Sequence, residues 1–528
     1  MSIISDMIKF SRLAFGLRGF VKNTITLEES KQVITTRLLN RKGNFLKLIQ
    51  KAVYQNPRSP YLKLLRLVGC EYGDVESAIN RDGIETTLEK LLNQGVYLSW
   101  EEFKRKKEVV RGSNRFQFEE KDFDNPLLPD YYQIQSSGSR SAGTKTTFDL
   151  SHRLAMSYYR PPLLAVDNAG EFPLGLWYPV LPALSGIVNA LYQSKAGKPA
   201  EKWFSPVEER QVQSSLRHRL AMRYIIYGSR LWGAKLPKPE YVSLEQAGKV
   251  AKWVAETREK SGGCSFGCYV SLAVKVCQAA KEHGLNIHGT RFIVGGEPLT
   301  DAKRQQIEAA GASVTNTYVI SEIGLIGCSC PKFGTGDDVH LLEDSVALIQ
   351  NKRKVEHTEI CIDSFIFTPL LPSSPKVLIN VESDDYGLIE RRSCDCLFGQ
   401  LGFDRHLSNI RSFSKLTGVG MTILGTDMVH ILEEVLPRKY GGSATDYQLL
   451  EEEDGQGQTR LSLIINPAVG LIDESDIITT LLNELRKSPH PGKLSAGVWS
   501  QANAIRIKRM PPILQMGKVL TLNLRKKD

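Results

Sequence analysis

Between residues 290 and 325 the rhythm of apolar and polar positions changes repeatedly. Phe292, Ile293 and Val294 run uninterrupted, as in a strand buried on both faces. From Leu299 to Ala310 the apolar positions return at helical spacing, and Gly311 closes the run. Ser313 to Val319 predicts a second strand ending on Ser321-Glu322. Two parallel strands joined by one helix deliver Gly295-Gly296-Glu297-Pro298 and Ser321-Glu322 to the same sheet edge. In open α/β sheets ligands sit outside the carboxyl ends of strands, so both clusters face one crevice.

Upstream, residues 1–130 read as mainly helical, with helices over Lys31 to Tyr54, Thr86 to Leu92 and Trp100 to Val109, and with Pro57 and Pro60 breaking the series. Tyr131 to Ile134 predicts a short strand, and a helix over Val270 to His283 follows Gly263 to Tyr269. The longest uncharged run, Phe172 to Ser194, has the length of a membrane span, yet it contains Pro173, Pro179 and Pro182 and lacks flanking stop-transfer charges. It reads as buried strand and turn. A strand over Lys376 to Asn380 leads into the acidic turn Glu382-Ser383-Asp384-Asp385-Tyr386-Gly387. After residue 420, a helix over Asp427 to Leu436, strands over Asp446 to Glu451 and Thr459 to Ile465, and a helix over Glu474 to Lys487 make a unit the size of a small domain. The expected organisation is a helical part over 1–130, a core over 131–415 and a small C-terminal domain over 416–528.

Composition narrows the class. The chain has 528 residues, 41% apolar and 24% charged, which fits a soluble protein of two or three domains. Asp6, Lys9, Arg12 and Arg18 interrupt the first 20 residues, so no signal-peptide core is expected and a cytoplasmic location follows. The net charge of +10 is concentrated at the two ends: residues 1–60 hold eleven Lys or Arg against three acids, and residues 489–528 hold eight against one. The first group reads as a solvated helix face; the second accompanies Pro511-Pro512 and Gly517-Lys518, a turn that delivers a compact ammonium. Nine cysteines, an odd number in a chain without a secretory segment, argue against a disulfide framework. Cys328-Ser329-Cys330 and Cys394-Asp395-Cys396, with His340 ten residues past the first pair, could complete a tetrahedral zinc site from three thiolates and an imidazole or from four thiolates. Finally, Ser136-Ser137-Gly138-Ser139-Arg140-Ser141-Ala142-Gly143-Thr144-Lys145 is a loop whose amides and hydroxyls can donate to phosphate, with Arg140 or Lys145 supplying charge. Its spacing differs from that of a P-loop NTPase.

Taken in order, the Ser/Gly loop, GGEPL, TYVISEIG, the acidic turn and the terminal Gly-Lys resemble the adenylate-forming superfamily, specifically its phenylacetate-CoA ligase-like branch. The resemblance spans roughly residues 132–518. It implies an α/β fold: a large N-terminal adenylate-forming domain with layered sheets and helices, and a small mobile α+β C-terminal domain. It implies ATP-dependent activation of a carboxylic acid as an acyl-adenylate, then transfer to the thiol of coenzyme A or of a carrier protein's phosphopantetheine. The alternatives are acyl-protein synthetase-like or amide-forming transfer, and a non-catalytic nucleotide- or acyl-binding descendant.

By position, the resemblance assigns Lys518 and Glu322 to catalysis, with Glu322 holding magnesium. Nucleotide contacts fall to Ser136, Ser137, Gly138, Ser139, Lys145, Gly296, Glu297, Pro298, Thr317, Tyr318, Ser321, Asp385 and Arg411. Asp384 is the alternative to Asp385 for the ribose, and Lys415 accompanies Arg411 at the hinge. The pocket candidates are Trp177, Tyr178, Ser265, Phe266, Gly295, Val319 and Gly324. A structural zinc would take Cys330, His340, Cys394 and Cys396, with Cys328 as replacement for Cys330. Departures from the family pattern stand at Val319 (a glycine in the family), Arg140, Ala142 and the hinge. The implied partners are the acid and coenzyme A or an acyl carrier protein, with neither nucleic acid nor a membrane span; a homodimer is compatible.

Overall fold

The computed structural model describes residues 16–128, 133–135, 145–147, 149–181, 183–207, 216–332, 336–354, 361–412, 417–418, 421–422, 425–453, 459–487, 505–515 and 517–525. It is a mixed α/β fold built on one 12-stranded sheet, half parallel and half antiparallel. The parallel half runs Pro239–Tyr241, Lys202–Ser205, Leu174–Trp177, Cys264–Tyr269, Thr290–Gly295 and Ser313–Ile320. The antiparallel half continues through Gly324–Cys328, Val339–Leu341, Arg405–Ser412, Val381–Arg391, Cys361–Pro369 and Val346–Lys354. The direction changes at Ser321-Glu322-Ile323, the tight turn where Ser313–Ile320 folds back on Gly324–Cys328.

Each half has its own apolar core. Leu176, Trp203, Val250, Phe266, Val274 and Phe292 belong to the first, between the parallel strands and the helices over Ser185–Lys195, Ala247–Ser261 and Val270–Glu282. The N-terminal helices, through Phe45, Tyr61, Leu65 and Leu88, cover Leu348, Phe365 and Leu407 of the antiparallel half. A third core joins Met428, Leu432, Leu449, Leu463, Ile477 and Leu481 around a four-stranded sheet of Tyr447–Glu453, Thr459–Ile465, Ile505–Arg509 and Leu522–Arg525. Among the described residues no helix is long and apolar enough to cross a membrane.

The helical series breaks between Tyr54 and Pro60, and Pro60 starts the helix Pro60–Leu67 from its first turn, where a missing N–H costs nothing. Two local expectations are corrected. The helix expected over Trp100 to Val109 closes at Phe103, and Val109–Arg111 pairs with Asn114–Phe116 instead. Residues 376–380 form no strand: Asn380 takes φ 50° and donates to the Leu88 and Val96 carbonyls, so the chain enters the sheet only at Val381. Asp385 therefore lies within a strand, beside a register shift at Tyr386, and not at a strand end.

Candidate functional site

The carboxyl ends of Thr290–Gly295 and Ser313–Ile320 meet at Gly295 and Thr317, which are paired in register. Thr317 Oγ1 donates to the Val294 carbonyl at 2.9 Å, and a Cβ on Gly295 would lie 2.3 Å from that hydroxyl oxygen, so a side chain there would displace the strand. Gly296 follows at φ 76°, turning its carbonyl outward. That carbonyl accepts from Lys518 Nζ at 2.9 Å, and the same ammonium stands 4.9 Å from the centre of the Tyr269 ring.

Several contacts hold the lysine turn. Gly517 takes φ 81° against Pro206 and Pro179, and the Val519 amide donates to Ser271 Oγ at 3.2 Å. Ser271 in turn donates through its amide and hydroxyl to the buried carboxylate of Glu297, at 2.7 and 2.9 Å. Burial raises the pKa of Glu297 above the ordinary carboxylate value, while Lys303 and these donors oppose the shift. The helical segment Ile431–Val435 packs on the large unit through Glu433, which pairs with Lys303 at 2.8 Å and accepts from Thr300 and Thr521. A second link, Lys275 to Asp446, is 2.7 Å long.

A cavity of about 210 Å³ opens beside Lys518. Tyr178, Ser185, Tyr269, Gly295, Gly296, Thr317, Val319, Ser321 and Gly324 line it, as do Arg153, Tyr159, Arg160, Asn189 and Tyr192. Ser185 Oγ and Tyr269 Oη lie 2.6 Å apart, and the Tyr178 hydroxyl donates to the Cys268 carbonyl at 2.9 Å. Trp177, Ser265 and Phe266 sit in the core instead. Trp177 Nε1 donates to the Val242 carbonyl and Ser265 Oγ to the Ala169 carbonyl, and the strand Cys264–Tyr269 reaches the cavity only at its carboxyl end.

On the other side of the edge, the Tyr318 hydroxyl donates to Asp385 at 2.7 Å. Glu322, largely buried in its turn, accepts from Lys104 Nζ at 2.6 Å. Arg411 pairs with Asp337 at 2.7 Å, and Asp337 also caps the Asn409 and Ile410 amides. Pro298 is half-buried in the turn behind Gly296. Ser136, Ser137, Gly138, Ser139 and Lys415 lie outside the described residues, as does Asp384's side chain; Lys145 begins the strand Lys145–Thr147, its side chain also undescribed.

Solved structures of CoA ligases align with most of the chain at low identity. A 2-hydroxyisobutyryl-CoA ligase in complex with 2-HIB-AMP and CoA aligns over 93% of this chain and 88% of its own, with 13% identity and a TM-score of 0.46. An anthranilate CoA ligase in complex with anthranoyl-AMP aligns over 82% and 74%, with 10% identity and a TM-score of 0.44. The McyG A-PCP structure complexed with phenylalanyl-adenylate aligns over 83% and 73%, with 10% identity and a TM-score of 0.42. No family model and no curated relative matches the chain.

Behind the antiparallel half, Cys330, His340, Cys394 and Cys396 converge with their ligand atoms within 4.8 Å of one another. Cys330 Sγ and Cys394 Sγ are 3.7 Å apart, the edge of a tetrahedron whose metal–sulfur bonds are about 2.3 Å. Cys396 Sγ lies 3.1 Å from His340 Nε2, and His340 Nδ1 lies 2.8 Å from the Phe403 carbonyl, an outer contact that turns Nε2 toward the thiols. The Cys330 thiol and then His340 lower the pKa of Cys396, against the opposing effect of burial. The donor set fits zinc. Cys328 is buried in the first apolar core, apart from this cluster.

Sequence reasoning missed Ser271, Lys104 and the Arg160–Asn189–Tyr192 group. Only Arg160 carried a visible signal, a lone charge among apolar neighbours in Ser157 to Val166.

Proposed function

We propose that this chain activates a carboxylic acid with ATP and passes the acyl group to the thiol of coenzyme A or of a carrier's phosphopantetheine. The observation that carries this reading is Lys518, which reaches the Gly296 carbonyl from the far end of the chain and shares one cavity with Gly295, Thr317 and Ser321. A carboxylate oxygen attacks the α-phosphorus, the bond from that phosphorus to the bridging oxygen breaks, and pyrophosphate leaves with it. The ammonium of Lys518 lies between carboxylate and α-phosphate, lowering the cost of bringing two anions together and stabilising charge in the transition state.

The remaining assignments are those the family resemblance implies. Gly296 and Pro298 flank the adenine with Tyr318, and Glu297 acts from beneath by fixing Ser271 and the lysine turn. Asp385 accepts from the ribose hydroxyls, Arg411 flanks the nucleotide from the hinge, and Ser136, Ser137, Gly138, Ser139 and Lys145 hold phosphate oxygens. Glu322 would hold magnesium, which when bound neutralises phosphate charge; Lys104 covers that carboxylate otherwise. A thiolate then attacks the acyl carbonyl and AMP departs, after residues 416–528 have swung Lys518 away. Cys330, His340, Cys394 and Cys396 hold a structural zinc, a feature that favours the phenylacetate-CoA ligase-like branch.

Carboxylate-dependent exchange of labelled pyrophosphate into ATP tests the reading. Exchange with at least one acid is expected, and Lys518→Ala should lower it by about 100-fold or more with an unchanged melting temperature. Nucleotide binding without exchange for any aryl, aliphatic or amino acid would identify a non-catalytic binder instead.

A further inference from the structure

The cavity beside Lys518 contains a second cation that acid activation does not use. Arg160 opens the helix Arg160–Val166 and is only 9% exposed. Its Nη2 donates to Asn189 Oδ1 at 2.8 Å, and its Cζ stands 5.7 Å from the Tyr192 ring centre. Asn189 Nδ2 donates to the Ser185 carbonyl at 2.9 Å, which fixes the amide with its oxygen toward the guanidinium. Among the described residues no carboxylate pairs with Arg160; its electrostatic neighbours are Tyr178, Cys328 and Tyr192. Burial lowers its pKa, yet a guanidinium remains charged at neutral pH. A buried cation with five donors and one neutral acceptor is costly unless a ligand supplies the missing charge.

The two cations belong to different parts of the cavity. Lys518 stands over Tyr269 and Arg160 neighbours Tyr178, and these two rings meet edge-on with centres 5.1 Å apart. Arg153 also lines the cavity, with Nη1 3.5 Å from the Tyr192 hydroxyl. A purely aliphatic acyl chain would leave the Arg160 end unsatisfied. We infer that the acid activated under the reading above is a dicarboxylic acid, with one carboxylate reacting beside Lys518 and the other held by Arg160. Asn189 and Tyr192 position the guanidinium for planar, two-pronged contact with the distal carboxylate.

The test compares acids of equal carbon count, hexanoate with adipate and 4-methylbenzoate with terephthalate, in pyrophosphate exchange and in calorimetric binding to the full chain with ATP absent. The dicarboxylate of at least one pair should have a kcat/KM at least about ten-fold higher. Arg160→Met should remove that preference, lowering kcat/KM for the dicarboxylate at least about ten-fold more than for its monocarboxylate partner. The variant's melting temperature should hold or rise, because a buried charge without a counter-ion has been removed. Asn189→Leu, which keeps the arginine and frees it, should weaken the preference by a smaller factor and serves if Arg160→Met does not fold. Equal or better use of the monocarboxylates by the wild type, or an unchanged preference in Arg160→Met, would overturn the inference. If no acid supports exchange but adipate or terephthalate binds through Arg160, the adenylation reading falls and the dicarboxylate site stands. If calorimetry finds no preference for dicarboxylates, the site falls whatever the exchange assay gives.

Discussion

The walls of the cavity come from two regions that differ in how they are held. Tyr178, Tyr269, Ile293 and Arg160 project from strands and helices whose apolar side chains form the largest core of the molecule. Lys518 arrives from a unit with a separate core, fastened to the first region by Lys303–Glu433, Lys275–Asp446 and a few hydrogen bonds. A wall inside a close-packed core keeps its shape, whereas a unit docked through discrete ion pairs can detach without unfolding. Under the proposed function, recognition of the acid would belong to the fixed region and timing of the reaction to the docked one. Changes in the first should alter which acid is used; changes in the second should alter how fast any acid is used.

The sharpest way to break this contrast is at Lys303, whose side chain is 4% exposed and whose partner Glu433 is 1% exposed. Lys303→Met leaves the Glu433 carboxylate buried without its cation, a loss of about 3 kcal/mol or more. Pyrophosphate exchange should drop roughly 100-fold, since each 1.4 kcal/mol is a factor of ten. Thioester formation from a synthetic acyl-adenylate, which needs the lysine turn withdrawn, should fall by less than about ten-fold. The order of acid preference should not change. Equal losses in both half-reactions would show that the ion pair supports the fold as a whole and not the docked arrangement.

The next effect is local. Cys396→Ser removes a thiolate from the Cys330, His340 and Cys394 cluster, which lies behind the antiparallel half and away from the cavity. Metal analysis should give about one zinc per wild-type chain and a fraction of that in the variant. Melting should become chelator-insensitive and shift down, with the acid preference intact. A wild-type chain free of zinc after preparation without chelators would remove the metal assignment.

These two regions were also unequally legible in the sequence. The turn after Val294, the strand to Ile320 and the terminal Gly517-Lys518 are short-range patterns, because a strand edge and a tight turn need particular residues at adjacent positions. In the fixed wall, Tyr178, Gly295, Val319 and Gly324 were legible, whereas its polar end was silent. Arg160, Asn189 and Tyr192 are brought together by the packing of two helices, and nothing in their spacing announces a shared cavity. Lys104 meets Glu322 across 218 residues of chain, a pairing that only tertiary structure creates. Ser265 and Phe266 stand too far back along the strand Cys264–Tyr269 to reach the cavity, a distance that residue type does not encode. The missing strand at residues 376–380 has a local cause as well, since Asn380 adopts a left-handed conformation that an apolar stretch does not reveal.

The smallest expected effect probes the floor of the fixed wall through pH. Asp344 is fully buried, and its two carboxylate oxygens share the single hydroxyl proton of the cavity residue Tyr159, at 2.7 and 2.8 Å. Burial raises its pKa from 3.8 to about 7, with Arg37 and the Tyr159 hydroxyl opposing. The folded protein thus holds this proton more tightly than the unfolded chain does. Stability from this group is fully present below the unfolded value and is lost as pH rises through the folded one. Between about pH 5 and 8 the wild-type melting temperature should carry a downward component that Asp344→Asn removes, a difference of roughly 2 °C for a chain of this size. The variant should gain on the wild type as pH increases, because the amide never acquires a buried charge. Parallel melting curves for the two proteins across that range would mean that Asp344 keeps its charge state on folding, and that the wall beside Tyr159 is more open to water than its burial implies.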